Sequence, residues 1–71
     1  MNLLDVKEGI ELSVKKVDGG QALSLRLSEL GIFEGSKIKV LKNKRGPVIL
    51  CVFGSTLAIG RGQAKKIEVS K

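Results

Sequence analysis

Ala22-Leu23-Ser24-Leu25-Arg26-Leu27-Ser28-Glu29-Leu30-Gly31-Ile32 is the stretch that decides the fold. Ala22 to Leu30 reads as a helix, because Leu23, Leu27 and Leu30 fall at i, i+4 and i+7 and share one face. Asp18, followed three residues later by Gln21, is a candidate cap for its start. Gly31 stands where a left-handed residue ends a helix, and Ile32 can then fold back onto Leu27. This stop signal is the clearest local feature in the 71 residues.

Outward from the helix, the chain reads as short strands separated by glycine turns. Glu11 to Lys15 alternates polar and apolar, the pattern of a strand with one buried face. After the helix, Glu34-Gly35 is a turn and Lys37 to Val40 alternates again. Asn43 to Gly46 is a polar, basic turn, and Pro47 opens the next strand from its first position. Val48 to Phe53 is apolar throughout. Gly54-Ser55 turns the chain into Thr56 to Ile59, Gly60 to Ala64 suits one helical turn, and Lys66 to Val69 is a last alternating strand. The expected architecture is mainly β: a five-stranded barrel with one short helix inserted after the first strand. Closure removes exposed strand edges. The expected inward residues are Leu12, Val14, Ile38, Val40, Val48, Leu50, Val52, Leu57, Ile59, Ile67 and Val69, with Leu23, Leu27 and Leu30 plugging one end. The length suits a single domain over residues 1–71.

The inventory of side chains argues against catalysis. Histidine is absent, so the usual general base near neutral pH is missing. The one cysteine, Cys51, lies mid-strand among apolar residues without a histidine partner, a setting in which a thiol is inert. Carboxylates are few and scattered, and no spacing suits zinc or a hard cation. Gly60-Arg61-Gly62 lacks the rest of any phosphate-binding loop and reads as turn geometry. No catalytic residue, metal ligand or cofactor is expected. The first residues carry no export signal and no apolar run reaches membrane-spanning length, so the expected location is cytoplasmic.

Thirteen Lys and Arg against seven Asp and Glu give a formal charge of +6. Solubility alone accounts for such an excess. It also suits an acidic partner. Lys37, Lys39, Lys42, Lys44 and Arg45 form a basic patch on one hairpin that could engage phosphates. Binding of single strands also uses aromatic stacking, and the chain has only Phe33 and Phe53 and no Trp or Tyr, which disfavours nucleic acid.

Val48 to Phe53 raises a different possibility. With Val48, Leu50 and Val52 inward, strand period turns Ile49, Cys51 and Phe53 outward. Either the monomer covers both faces of this strand, or the three residues form a stripe for partner binding or for a homo-oligomer.

The order and spacing of these pieces resemble a known family. Leu27 to Ile38, with Gly31 and Gly35 at their places, is similar to the corresponding stretch of FeoA-type proteins, small accessory proteins of bacterial ferrous iron transport. The similarity continues through Gly46-Pro47, Gly54 and Leu57 to Ala64, and ends with Ile67 and Val69. It covers nearly the whole chain, although each piece alone is only turn glycines and core aliphatics. The resemblance implies an SH3-like barrel with an inserted helix. It implies a cytoplasmic supporting role beside the FeoB permease, whose cytoplasmic part is a GTP-binding domain. It carries over no catalytic or metal residue. Glu34 departs from the family where proline is common, and Ile49, Cys51 and Phe53 stand where polar residues are frequent. The reading is a non-enzymatic protein that binds FeoB or its GTP-binding domain and promotes ferrous iron uptake. The alternative is a basic small-barrel nucleic-acid-binding protein.

Overall fold

The computed structural model describes residues 1–71. Five strands, β1 (Glu11–Val17), β2 (Lys37–Lys42), β3 (Val48–Val52), β4 (Ser55–Ile59) and β5 (Ile67–Ser70), form one antiparallel sheet in the order β4-β3-β2-β1-β5. Helix α1 (Gln21–Glu29) follows β1, and a single helical turn, α2 (Arg61–Ala64), joins β4 to β5. The expected element order is therefore present. The sheet wraps one core, but β4 and β5 do not pair, so the ladder stays open. Leu3 and Val6 from the N-terminal segment join the core, as does Ala64 of α2.

The N-terminal segment contributes more than the sequence suggests. Asn2 caps a 3-10 turn at Leu3–Asp5, accepting from the Leu4 N–H at 2.8 Å. Asn2 also bridges to Glu68, and the Val69 N–H donates to the Met1 carbonyl at 2.9 Å. One edge of the sheet, β5, is thus covered by the chain's own start.

Two bulges explain where the strands outrun their alternation. β1 shifts register between Val14 and Lys16, which leaves Lys15 and Lys16 both exposed and lets the strand continue to Val17. β2 shifts between Val40 and Lys42, exposing Leu41. A bulge adds one unpaired residue and changes the side-chain phase.

The helix ends as its sequence predicts. Gly31 has φ +94°, the Ile32 N–H donates to the Leu27 carbonyl at 2.9 Å, and the Gly31 N–H donates to Ser28 at 3.0 Å. That pair of bonds is the Schellman arrangement, with Leu27 and Ile32 both in the core. The start differs from expectation. Asp18 does not cap α1: Gly20 occupies the cap position at φ +87° with no side-chain bond. Asp18 is held back by its N–H donating to the Lys66 carbonyl at 2.7 Å, so Gly19 and Gly20 make the turn. Leu30 also departs from expectation. It is 45% exposed, because the helix has ended and Ile32 takes the buried place. Of the eleven expected inward strand residues, ten are buried. Leu57 is half-buried, since β4 is the open edge.

Candidate functional site

Phe53 is not the last residue of β3. Val52 pairs with Ser55, leaving Phe53-Gly54 as a two-residue hairpin loop with φ +50° and +78°. Positive φ at both positions defines a type I′ turn, whose twist matches that of the strands it joins. The chain therefore rotates Phe53 out of the expected Ile49–Cys51–Phe53 stripe. Ile49 and Cys51 remain on the outer side of β3, both half-covered.

At the turn, the Phe53 ring lies over Gly31. A Cβ placed on Gly31 would come within 2.9 Å of Phe53 Cδ2 and 3.0 Å of Val52 Cγ1, so only glycine admits this approach. Phe33 completes the pair, its ring centroid 6.2 Å from that of Phe53 at 30°. Ser36 fixes Phe33: its Oγ donates to the Phe33 carbonyl at 2.7 Å and accepts from the Phe33 N–H at 3.0 Å. Ser36 is itself buried. Both rings face solvent, Phe53 at 73% and Phe33 at 43% exposure. Phe33 also lines a groove of about 460 Å³ beside α1, shared with Leu25, which is 64% exposed, and with Val17. Lys16, Gln21 and Glu34 supply its polar rim. The result is an apolar arc: Leu25 and Phe33 line one groove, with Ser24 and Ser28 also in its wall, and Phe33 neighbours Phe53.

The basic patch divides. Lys42, Lys44 and Arg45 converge on a second hollow of about 500 Å³ with Glu8, Leu41, Pro47 and Ile49. Lys39 projects from β2 opposite Cys51, and Lys37 borders a separate hollow with Lys71. All five are exposed. The phenylalanines sit at the far end of β3 from Lys42, Lys44 and Arg45, whereas Lys37 and Lys39 lie at the Phe53 end, since Ile38 pairs with Val52.

Sequence reasoning missed Asn43, which holds the N-terminal segment in place. Its Nδ2 donates to the carbonyls of Val6 at 2.7 Å, Leu4 at 3.0 Å and Leu3 at 3.4 Å. Its Oδ1 accepts from Arg61 at 3.2 Å, and its backbone N–H donates to Glu8 at 2.9 Å. A turn asparagine carries no sequence signal for so distant a set of partners. Three or more Asp, Glu or Cys side chains do not gather anywhere in the molecule. No helix is long and apolar enough to cross a membrane.

Comparison with known proteins agrees with this architecture. The profile of the FeoA domain family matches residues 1–71. A Methanocaldococcus jannaschii protein provisionally named Fe(2+) transport protein A is 54% identical over 63 residues, 89% of this chain and 77% of that protein. A crystallised FeoA described as an iron uptake regulatory protein superposes with a TM-score of 0.91 at 31% identity, covering 99% of this chain and 93% of its own. The zinc-complexed FeoA of Stenotrophomonas maltophilia, described as a prokaryotic SH3 domain protein, shares the fold. Its TM-score is 0.85 at 22% identity, over 99% of this chain and 89% of that one. With the same SH3-like sheet and a match along its whole length, the chain belongs to the FeoA domain family.

Proposed function

We propose that this protein is a non-enzymatic, cytoplasmic accessory of ferrous iron uptake that docks on the GTP-binding domain of a FeoB-type permease through the Leu25–Phe33–Phe53 arc. The observation that carries the reading is Phe53. It occupies a left-handed turn position, φ +50°, where Asn or Gly is favoured and a bulky side chain is strained. It is also 73% exposed, so the ring adds little to the core. A residue held in strain without burial points to a use outside the fold. Family membership and the iron-transport name of the M. jannaschii relative supply the context.

The arc has the composition of a binding centre: aromatic anchors, an adjoining groove and a charged rim. Ile49 and Cys51, expected as partners of Phe53, lie on the same hairpin and would flank the contact. The polar side chains of the adjoining groove are Lys16, Gln21, Ser24, Ser28 and Glu34, and the Ser28 hydroxyl is tied to the Leu25 carbonyl at 2.7 Å. Nucleic acid is the weaker reading, because the basic cluster at Lys42, Lys44 and Arg45 has no aromatic platform beside it.

The test is titration of the chain against the purified cytoplasmic domain of the permease. Phe53→Ser, which leaves the core intact, should weaken binding by about 30-fold or more, the ~2 kcal/mol typical of an aromatic anchor. Equal binding by the variant would remove Phe53 from the interface.

A further inference from the structure

The two edges of the sheet are treated differently. β5 is covered by Met1 and Asn2. β4 has only β3 as an extensive neighbour, and its other edge is bare. The register tells which groups that edge presents. A two-residue turn makes Val52 and Ser55 a hydrogen-bonded pair, and pairing alternates from there through Leu50–Leu57 to Val48–Ile59. The N–H and C=O groups of Thr56 and Ala58 therefore point off the sheet. Both residues are exposed, and neither finds a backbone partner in the loops or caps.

Open edges are ordinarily blunted by lysine, proline or a bulge. β4, Ser55-Thr56-Leu57-Ala58-Ile59, has none of these, in a chain with thirteen Lys and Arg. By contrast, β1 and β2 both carry lysines, and both contain a bulge.

We propose that the β4 edge is a self-association surface, on which a second copy of this chain pairs antiparallel through its own β4, about a two-fold axis at Leu57. The occupant is argued from self-complementarity. In that register Thr56 of one copy faces Ala58 of the other, twice, so that all four free edge groups on each copy are satisfied. Leu57, half-buried against the core at this edge, then meets Leu57 of the second copy. At the ends of the strand Ser55 faces Ile59, so the paired segment holds no charged side chain and no like charges oppose each other despite the net charge of +6. Two five-stranded sheets would become one of ten.

The experiment is sedimentation velocity on the whole chain and two edge variants, up to about 1 mM, the range in which small interfaces associate. The wild type should shift from monomer to dimer with concentration. Thr56→Lys/Ala58→Lys places lysines directly opposite lysines across the axis and should remain monomeric. Thr56→Glu/Ala58→Glu should do the same. An equimolar mixture of the two should form a heterodimer, because each lysine then faces a glutamate. Circular dichroism melts of the variants establish that they fold, which is expected since both positions are exposed in the monomer. A monomeric wild type at 1 mM overturns the proposal. So does a dimeric lysine variant, or a mixture that fails to pair while the wild type dimerises, since association would then use another surface.

Discussion

Replacing Gly31 by alanine should destabilise the protein by about 2–5 kcal/mol, from two separable causes. The first is backbone conformation. Gly31 sits at φ +94°, and an L-residue in the left-handed region costs roughly 1–2 kcal/mol. The second is space. The new Cβ would lie 3.0 Å from Val52 Cγ1 and 2.9 Å from the Phe53 ring. Phe53 is exposed and can swing away, but Val52 is buried in the core and cannot do so freely. Crowding of a packed core typically costs about 1–3 kcal/mol. For a domain of this size each kcal/mol lowers the melting temperature by roughly 4–8 °C. Gly31→Ala should therefore melt at least about 8 °C below the wild type, measured by thermal unfolding followed by circular dichroism. A double-mutant cycle with Phe53→Ser separates the causes. Removing the ring should recover only the small part due to Phe53, leaving the strain and the Val52 contact. A Gly31→Ala protein melting within 2 °C of the wild type would refute both the helix-stop geometry and the close packing over it.

Asn43→Ala should cost about 1–3 kcal/mol in urea unfolding, because the Leu3, Leu4 and Val6 carbonyls lose their shared donor; an unchanged midpoint would show that water replaces it without loss. Phe53→Asn should hold or raise stability, by up to about 1 kcal/mol, since Asn suits the first position of a type I′ turn. A loss above 1 kcal/mol would instead make the ring a packing element and weaken the case for its role in docking. Duplex and single-stranded DNA should not bind appreciably at physiological salt. Sub-micromolar affinity that falls steeply with salt and disappears in Lys42→Glu/Lys44→Glu/Arg45→Glu would revive a nucleic-acid role.

The helix and its stop were legible because one residue, Gly31, combines a required backbone conformation with two hydrophobic neighbours at fixed spacing. Inward strand positions were legible because period-two alternation is rigid. The failures share a cause: each depends on atoms far apart in sequence. Leu30 keeps helical spacing, yet it lies beyond the last helical turn, and Ile32 is what fills the core. Asp18 matches a cap motif, but its backbone is committed to Lys66 of the neighbouring strand segment. Phe53 continues an apolar run, and only the Val52–Ser55 pairing shows that the chain turns there. The Phe33–Phe53 pair follows from that turn. Its support by Ser36, a short Ser motif with no apolar signature, was equally hidden. Leu3 and Val6 reach the core through Asn43, a long-range clamp that no local pattern announces.

The most direct measurement is the affinity of the chain for the isolated GTP-binding domain of a FeoB-type permease, by isothermal titration calorimetry, with Phe53→Ser alongside. The prediction is saturable binding by the wild type and a loss of about 30-fold or more for Phe53→Ser, whose melting temperature stays at or above that of the wild type. Absence of binding by the wild type, or equal binding by a folded Phe53→Ser, would contradict docking through the aromatic arc.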